Sequence, residues 1–488
     1  MVLKVWKIFE SNESTSNRPP GLWKLPIIGN LHQLVSSDPP HRTLRDLAKK
    51  HGPLMHLQLG ELHTLVVSSA EYAEEVMKTH DVLFASRPQI HNIRVMSYGY
   101  KNISFSPYGR YWRQLRKICA QELLSVKRVQ SYRSIREQEM SKLIQRIFSE
   151  AETPINMTKK IYSSTSNLTS RLAFSDKSKY QEEFVSAMKE SLEISSGFSI
   201  VDFFPSVKFL QLISGRSSEI EKLHKQLDRI VGSIIEEHQK HNTRRCEENE
   251  DLVDVLLKYQ EQGDPEYPLT MDEIKAVIGD IYTGGTDTSS TTVDWAMAEM
   301  IKNPRVMEKA QAEVRQVFDT RGCVDETGIP ELKYLKLVIK ETLRLHPAAP
   351  LLIPRENSEK CMINEYVIPA KTRVIVNAWA IGRDPKYWTH EPETFYPERF
   401  LDNPIDYKGT NFEFIPFGAG RRMCPGMTFG LANVELPLSQ FLYYFDWKLS
   451  DGLMPEDLNM AEHYAVTIGR SEDLVLIPTP RRPPPAIN

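Results

Sequence analysis

The sequence predicts a mostly α-helical fold with a small β region, built as a single large domain. Most of residues 125–258 have apolar side chains at helical spacing, and a capped helical pattern follows from Thr270. Leu54–Leu59 and residues 63–67 alternate apolar and polar side chains around Gly60-Glu61, which predicts a β-hairpin. No long linker, repeat or low-complexity tract divides the 488 residues, so one domain is the simplest organisation.

Charge and cysteine pattern exclude several kinds of partner and site. With 61 basic and 64 acidic residues the formal net charge is -3, so nothing draws the chain as a whole to nucleic acid. The cysteines form no CxxC pair and no zinc-like cluster, which favours a reducing compartment over a disulfide scaffold. They are Cys119, Cys246, Cys323, Cys361 and Cys424. No apolar run is long enough to span a membrane, and the apolar residues 1–9 are either the stub of a longer anchor or a frayed terminus.

The most informative stretch is the long helix that begins after Thr270. Thr270 and Glu273 fit a capping box, and Asn303-Pro304 supplies the end. About 32 residues at 1.5 Å each make roughly 48 Å of helix, long enough to cross a large domain. Its middle, residues 284–290, reads Gly-Gly-Thr-Asp-Thr-Ser-Ser, and the two glycines alone cost about 2 kcal/mol against alanine. Such a centre serves a function, allows close helix packing, or forms an exposed polar patch.

Two further helices are predicted in the second half of the chain. In residues 331–345, Glu341 and Arg344 lie three apart on one face, where they can pair. Taken alone, such a pair is most often a surface ion pair worth under about 1 kcal/mol. The last helix runs from Met427 to about residue 445, and Pro437 inside it predicts a kink or a break.

One cysteine stands in a tight loop that runs from Phe417 to Gly426. The loop reads Phe-Gly-Ala-Gly-Arg-Arg-Met-Cys-Pro-Gly, and its glycines permit positive φ and close approach of another group. Arg421 and Arg422 are expected to favour a thiolate at Cys424, and so is the N-terminus of the following helix. A thiolate held in this way is a nucleophile or a metal ligand, and the loop alone leaves both roles open.

The order of these motifs resembles the cytochrome P450 superfamily, the haem-thiolate monooxygenases. The family signature Phe-x-x-Gly-x-Arg-x-Cys-x-Gly is matched without a gap by Phe417, Gly420, Arg422, Cys424 and Gly426. The other matching motifs are Trp112-Arg113-Gln114-Leu115-Arg116, Gly284-Gly285-Thr286-Asp287-Thr288, Glu341-Thr342-Leu343-Arg344 and Pro397-Glu398-Arg399-Phe400. A lone Glu-x-x-Arg would be nearly worthless as evidence, whereas five motifs in the family's order are very specific.

Other stretches are similar to the plant microsomal branch of this family, which contains many oxidases of terpenoids and alkaloids. Residues 19–31 resemble its proline-rich hinge, although Leu22 replaces a usual proline. Residues 106–112 and 382–385 also look plant-like. Members of the family normally carry an N-terminal membrane helix of about twenty residues. Here that helix is absent or cut down to residues 1–9.

The resemblance implies haem b as the cofactor and a role for each matching residue. Cys424 would be the axial thiolate on the haem iron, with Phe417 shielding the sulfur. A thiolate donates the electron density that favours O–O cleavage. Asp287 and Thr288 would form the acid–alcohol pair that delivers protons to dioxygen. Gly284 and the glycine after it would leave room for dioxygen beside the helix.

Two sets of charged residues are implied around this cofactor. The donors to the anionic haem propionates would be Trp112, Arg116, Arg355 and Arg422. Guanidinium groups give carboxylates strong charge-assisted hydrogen bonds. Glu341, Arg344 and Arg399 would form a buried structural network, and breaking such a buried charge pair costs about 3–5 kcal/mol.

The resemblance implies a substrate pocket built from mainly apolar segments, which suits a hydrophobic small molecule. These segments are residues 90–100, 195–203, 277–286, 348–353 and 463–467. His463 and Tyr464 would either donate hydrogen bonds in this pocket or face the solvent.

The expected reaction is insertion of one oxygen atom from dioxygen into a C–H or C=C bond of a plant terpenoid or alkaloid. Electrons would come from NADPH through NADPH-cytochrome reductase, docking on a cationic face with Arg113, Lys117 and Arg421. The expected location is the cytosolic face of the endoplasmic reticulum membrane. Residues 1–18 would be an anchor stub or disordered, residues 19–480 the catalytic domain and residues 481–488 a mobile tail.

Two other functions stay open at this point. One is a haem-thiolate enzyme that rearranges hydroperoxides or dehydrates its substrate without external electrons. The intact Asp287-Thr288 pair argues against it. The other is a non-catalytic haem-binding or sensor protein, which would need neither this pair nor an apolar pocket.

Overall fold

The computed structural model describes residues 17–175, 180–195, 200–207, 209, 216–241, 250–262, 268–450, 452–465 and 467–485. Its α-helices are α1 (Leu31–Leu34), α2 (Pro40–His51), α3 (Ala70–Glu74), α4 (His91–Met96), α5 (Arg110–Ile118), α6 (Val126–Ser131), α7 (Arg133–Ser149), α8 (Met157–Phe174), α9 (Gln181–Ser195), α10 (Ile200–Phe203), α11 (Arg216–His241), α12 (Leu252–Gln262), α13 (Met271–Lys302), α14 (Pro304–Phe318), α15 (Lys333–Leu345), α16 (Ala378–Ile381) and α17 (Met427–Tyr444). Single π-helical turns occupy Glu75–Thr79 and Cys119–Leu123. The prediction of a mostly helical chain is confirmed.

The strands of the described chain form small sheets. They are β1 (Leu54–Leu59), β2 (Leu62–Val67), β3 (Ile155–Asn156), β4 (Arg355–Glu356), β5 (Cys361–Ile363), β6 (Tyr366–Ile368), β7 (Arg373–Val376), β8 (Phe445–Leu449), β9 (Glu462–Tyr464), β10 (Ile468–Arg470) and β11 (Val475–Pro480). The four-stranded sheet has the order β1-β2-β7-β4, with β2 and β7 parallel. β11 lies between β3 and β8, and β5–β6 and β9–β10 are antiparallel pairs. The hairpin predicted around Gly60-Glu61 is confirmed, because Leu59 lies opposite Leu62.

The long helix α13 has the predicted limits and crosses the core. The Thr270 side chain accepts the N–H of Glu273, and the Glu273 side chain accepts the N–H of Thr270, so the capping box forms as expected. α13 packs against α8 and α17 along its middle. Its C-terminal part, residues 292–301, is buried on every side. The helix therefore holds residues 284–288 rigidly in the interior.

Of the two outcomes expected at Pro437, the break does not occur. α17 runs from Met427 to Tyr444 with Pro437 inside it. The neighbouring side chains of Leu436, Leu438 and Phe441 are fully buried. Their burial, worth about 1.5–3 kcal/mol for each side chain, outweighs the roughly 3 kcal/mol that an interior proline costs a helix.

Both ends of the described chain are tied to the body. The backbone carbonyl of Asn17 accepts the N–H of Val367 at 2.7 Å. Near the other end Arg482 pairs with Asp319 at 2.8 Å, and Gln145 donates to the Pro485 carbonyl at 2.9 Å. The expectations for residues 1–16 and 486–488 fall outside the described residues. Among the described helices, none has the length and apolar character that crossing a bilayer requires.

Candidate active site

One interior cavity lies between α13 and the cysteine loop, residues 417–426. Gly284 and Thr288 line it from α13, and Phe417 and Cys424 line it from the loop. Residues 348–353 close another side with mainly apolar side chains. The walls are mostly apolar, so the cavity suits a hydrophobic occupant.

The cysteine loop keeps its shape through backbone contacts. The N–H of Cys424 donates to the carbonyl oxygen of Phe417 at 2.9 Å, which closes the loop. Gly420 has a φ of 66°, in the left-handed region. A Cβ at this position would also overlap the backbone oxygen of Met77. Glycine alone lets the loop lie against the π-helical turn at Glu75–Thr79.

The electrostatic environment of Cys424 differs from the predicted one. Burial raises the pKa of its thiol, while the N–H of Gly426 and the charge of Arg116 lower it to a smaller extent. Arg421 lies half-exposed at the surface, and Arg422 donates to backbone carbonyls. The expectation that these two arginines favour the thiolate was wrong. Arg421 and Arg422 precede Cys424 in the sequence, but their side chains lie away from its sulfur. Cys424 is exposed toward the cavity, and a thiol there becomes a thiolate when a metal ion binds it.

Four arginines, here called the cavity arginines, converge on the cavity from separate parts of the chain. They are Arg87, Arg116, Arg355 and Arg422. Burial and the charges of Arg355 and Arg116 lower the pKa of Arg422 to about 9. Burial also lowers the pKa of Arg87, with smaller contributions from Arg422 and Arg355. Among the described residues, Asp81 pairs with this cluster, 3.2 Å from Arg355.

Backbone carbonyls fix the orientation of these donors. Nε of Arg422 donates to Ala85 O at 2.6 Å, and its Nη2 donates to Ser106 O. The single N–H of Trp112 donates to Ile103 O at 3.0 Å, and the Arg422 guanidinium lies 4.1 Å from the Trp112 ring centroid. Trp112 is therefore engaged with the protein, whereas Arg422 keeps further N–H groups for a ligand.

These residues fit the cofactor that the sequence implied. A buried surplus of positive charge costs free energy unless an anionic group balances it. The two propionates of haem supply two negative charges, and guanidinium groups match carboxylates in geometry. Cys424 offers a sulfur to the same cavity, and a Cβ at Gly426 or Gly284 would meet nothing within 4 Å. The donor set and the open glycines thus suit a flat dianionic metal complex.

The two glycines at the centre of α13 have different surroundings. Gly284 faces the cavity, and open space surrounds the position of its missing side chain. At Gly285 a Cβ would lie 2.8 Å from Cε1 of Phe429 on α17. Of the interpretations considered for this pair, an open cavity wall applies to Gly284 and close helix packing applies to Gly285.

Thr288 and Asp287 point to different surroundings. Thr288 lines the cavity, and its hydroxyl donates to the Gly284 carbonyl at 2.6 Å. Asp287 turns toward the residue before β10, where the Thr467 hydroxyl donates to its Oδ2. Burial raises the pKa of Asp287. The acid is therefore more readily protonated than an exposed aspartate.

Glu341, Arg344 and Arg399 form a closed network. Arg344 donates to both carboxylate oxygens of Glu341, at 2.7 and 2.8 Å, and the two side chains have no exposed surface. Nε of Arg399 donates to Glu341 Oε1 at 2.9 Å. Arg344 also donates to the Gly382 carbonyl at 2.7 Å. The interpretation as a surface ion pair is excluded, and the expected buried network is present.

Residues 19–475 match the family model described as Cytochrome P450. The chain belongs to the cytochrome P450 family. It is 54% identical over 477 residues to cytochrome P450 71D10 of Glycine max, covering 96% of this chain and 92% of that protein. It is 50% identical over 486 residues to premnaspirodiene oxygenase of Hyoscyamus muticus, covering 99% and 96%. It is 54% identical over 484 residues to tabersonine 16-hydroxylase 1 of Catharanthus roseus, covering 97% and 94%.

A solved structure supports the fold of this P450. The zebra fish cytochrome P450 in a structure with progesterone superposes with a TM-score of 0.78 at 24% identity, covering 91% of this chain and all of that one. The predicted P450 fold is confirmed. This P450 is a monooxygenase with haem b as its cofactor, as the sequence predicted. Neither of the two other functions gains support from these relatives.

The predicted pocket segments agree in part with the cavity of this P450. Among the described residues, segments 277–286 and 348–353 contribute to the walls, whereas 90–100 and 463–467 do not. Ile103 and Ser104 take the expected place of the first segment. His463 is exposed, which was one of the two outcomes expected for it. Residues 196–199 of the remaining segment lie outside the described chain.

Arg87 was missed by sequence reasoning, and Asp280 was predicted only as part of the segment 277–286, without a role of its own. Arg87 donates to Ser104 O at 2.9 Å and to Ile353 O at 2.7 Å, so it joins segments that are far apart in the chain. No local pattern indicates this. Asp280 lies four residues before Gly284 on the same face of α13, and that spacing is a signal that could have found it.

Proposed function

We propose that this P450 hydroxylates or epoxidises a plant terpenoid or alkaloid, and that Cys424 would bind its haem iron. The observation that carries the proposal is the meeting of Cys424 and the cavity arginines at one mostly apolar cavity. Residues 19–480 form the catalytic domain in this proposal. The oxygenase and hydroxylase named among the relatives support the substrate class.

Haem, when bound, supplies an iron at which dioxygen is reduced and one of its atoms passes to the substrate. Cys424 would hold the iron through its sulfur, to which the N–H of Gly426 donates a hydrogen bond. Phe417 packs edge-on against Tyr407 at 5.5 Å between ring centroids and helps to exclude water from the loop. The Cys424 ligand would thus be enclosed by the chain.

Arg116, Arg355 and Arg422 would bind the propionates, as the sequence implied, and Arg87, which lines the same cavity, would join them. Trp112 would act through Arg422, because its own N–H is already donated to Ile103. Each charge-assisted hydrogen bond of this type contributes about 1.5–3 kcal/mol. The cavity arginines would therefore dominate the retention of the cofactor.

Thr288 and Asp287 would deliver protons to the cavity. The raised pKa of Asp287, caused by its burial, keeps a proton available nearer to neutral pH. The Thr288 hydroxyl faces the cavity, so it can stand at the cavity end of this proton path. Thr467 would set the resting orientation of the Asp287 carboxyl through its hydrogen bond.

Electrons would come from NADPH through NADPH-cytochrome reductase. Arg113, Lys117 and Arg421 are exposed, which suits a cationic docking face for an acidic partner. Arg113 and Lys117 lie on α5, the helix that also carries Arg116. Docking there would bring the electron donor close to the cavity arginines.

The proposed location is the cytosolic face of the endoplasmic reticulum membrane. Trp23 and Ile27 expose 68% and 58% of their surfaces near the β1–β2 turn. The end of α10 contacts the same turn, where the N–H of Glu61 donates to Phe203 O at 2.8 Å. Exposed apolar side chains on one face suit contact with a lipid surface.

The reduced carbon monoxide difference spectrum tests the ligand assignment. The parent protein should give a thiolate-type Soret band, and Cys424→Ala should lose it. Cys323→Ala, at an exposed cysteine, serves as the matched control and should keep the band. A parent protein without this band would refute the proposal.

Turnover with NADPH and reductase tests the proton path. Thr288→Ala should keep the spectrum but release more of the consumed NADPH as hydrogen peroxide. A variant that couples NADPH to product as fully as the parent would show that Thr288 has no such role. Product analysis with a panel of terpenoids and alkaloids identifies the substrate class.

A further inference from the structure

Asp280 lines the cavity but has no part in the proposed reaction. Both of its carboxylate oxygens accept hydrogen bonds from the chain between α4 and α5. Oδ1 accepts from the side-chain amide of Asn102 at 2.7 Å, and Oδ2 accepts from the N–H of Ser104 at 2.8 Å. The Asn102 side-chain oxygen accepts the N–H of Phe105 at 3.2 Å, which closes a tight turn. One acid on α13 thus holds a stretch of chain that has no regular secondary structure.

The stretch that Asp280 holds is residues 102–106, here called the carbonyl segment. Its backbone oxygens at positions 103, 104 and 106 accept hydrogen bonds from two cavity arginines and from Trp112. Position 103 accepts from Trp112 at 3.0 Å and from Arg422 at 3.3 Å. Position 104 accepts from Arg87 at 2.9 Å, and position 106 accepts from Arg422. The directions of the Arg87 and Arg422 guanidinium groups therefore depend on where this segment lies.

We propose that Asp280 is a positioning residue for cofactor retention, acting through the carbonyl segment on Arg87 and Arg422. A guanidinium group is a planar fork, so a small rotation misaligns it with a carboxylate. The carbonyl segment is a loop, and a loop keeps its carbonyls aimed only when other parts of the protein anchor it. Asp280 supplies that anchor from the rigid helix α13. The inference rests on the proposed function, since the two arginines matter here only as ligands of an anionic cofactor.

Asn102 donates and Asp280 accepts in their hydrogen bond, so exchanging the two residue types gives a reciprocal test. Asp280→Asn keeps the size of the side chain but sets a new NH2 group against the NH2 group of Asn102. Turning the Asn102 amide around would relieve this conflict but would set its N–H groups against the N–H of Phe105. Asn102→Asp alone places two carboxylates against each other. In the double variant, the amide at position 280 donates to the carboxylate at position 102. That carboxylate still accepts the N–H of Phe105.

The measurement is the rate at which the purified holoprotein loses haem to an excess of haem-free myoglobin. Each single variant should lose haem about tenfold faster than the parent, since one buried hydrogen bond is lost. The double variant should return to within about twofold of the parent. Asp272→Asn is the matched control, because it breaks the exposed Lys101–Asp272 pair between the same helix and the residue before the carbonyl segment. Its haem loss should equal that of the parent.

Several outcomes would overturn the proposal. Haem loss at the parental rate in Asp280→Asn would do so. A double variant that releases haem as fast as the single variants would also do so. If Asp280→Asn does not fold, the double variant decides: recovery of haem-loaded protein supports the proposal, and its absence refutes it. The Soret band of the parent tests the proposed function separately, so the two failures are distinguishable.

Discussion

Two groups of buried arginines in this P450 differ in where their counter-charges lie. Around Glu341 the chain supplies everything: Arg344 and Arg399 bind its carboxylate, and backbone carbonyls take further N–H groups. Among the cavity arginines of the described chain, Arg355 pairs with Asp81, and Arg87, Arg355 and Arg422 donate to backbone oxygens. The first group is complete without a ligand and the second is not. The imbalance, rather than the number of charges, is what marks a ligand site.

The largest effect should follow from breaking the complete network. Glu341→Ala leaves two buried guanidinium groups without their carboxylate, at a cost of about 3–5 kcal/mol. We expect little or no folded protein, with or without added haem, as judged by soluble yield and thermal unfolding. Glu74→Ala is the control, because it removes an exposed pair with Lys78 and should change stability by under about 0.5 kcal/mol. A folded, haem-loaded Glu341→Ala protein of parental stability would contradict this interpretation.

A more selective effect is expected when the incomplete group loses a member. Arg116→Met removes a charge from a site with surplus charge and leaves the Arg355–Asp81 pair in place, so the fold should survive while haem binds less well. Loss of one charge-assisted hydrogen bond predicts haem release about ten to a hundred times faster. Transfer of haem to haem-free myoglobin measures this rate. Arg482→Met, at an arginine paired with Asp319 near the surface, should release haem as the parent does. Equal rates in both variants would remove the distinction between the two groups.

The adjacent glycines of α13 sharpen the same contrast without charge. Gly285→Ala should destabilise the fold, because the new methyl group meets Phe429 at 2.8 Å. Gly284→Ala should instead stabilise the helix by up to about 1 kcal/mol, since alanine favours helices and nothing lies within 4 Å. Its methyl group would enter the cavity and lower the coupling of NADPH to product. Thermal unfolding of the two variants should therefore move in opposite directions, and a shift in the same direction would contradict the argument.

The smallest effect is expected at Asp287. Burial raises its pKa, so the folded state binds this proton more tightly than the unfolded chain does. The carboxyl therefore opposes folding increasingly as pH rises above its ordinary pKa of about 4. Asp287→Asn should match the parent near that pH and gain a small stability advantage toward neutral pH. Thermal unfolding across pH, with the exposed Asp272→Asn as control, checks this, and an advantage that shrinks with rising pH would be the wrong sign.

The sequence predicts those features that depend on local signals. The capping box at Thr270, the turn at Gly60-Glu61 and the glycine requirement at Gly420 each involve a few neighbouring residues or one steric limit. The hydrogen bond from Thr467 to Asp287 joins residues 180 positions apart, and no periodic pattern encodes it. The contact of Arg87 with the Ile353 carbonyl has the same character.

The mistaken expectation for Cys424 has a related physical cause. Adjacent side chains in a tight loop diverge, so Arg421 and Arg422 lie away from the sulfur although they precede it in the chain. Arg116, from another helix, is the arginine whose charge reaches the thiol. Motif matching names such residues correctly but does not say which of them touch.

The carbonyl segment has a consequence for how this enzyme can change over generations. It supports the cavity arginines through main-chain oxygens, and every amino acid supplies such an oxygen whatever its side chain. The Ser104 side chain also hydrogen-bonds to Asp280, whereas the side chain of Ile103 forms part of the cavity wall. Substitutions at Ile103 alter the wall that a substrate meets while the oxygens that hold the cofactor's partners stay in place. Selectivity can drift at this position without loss of the prosthetic group, which makes it suitable for a saturation library.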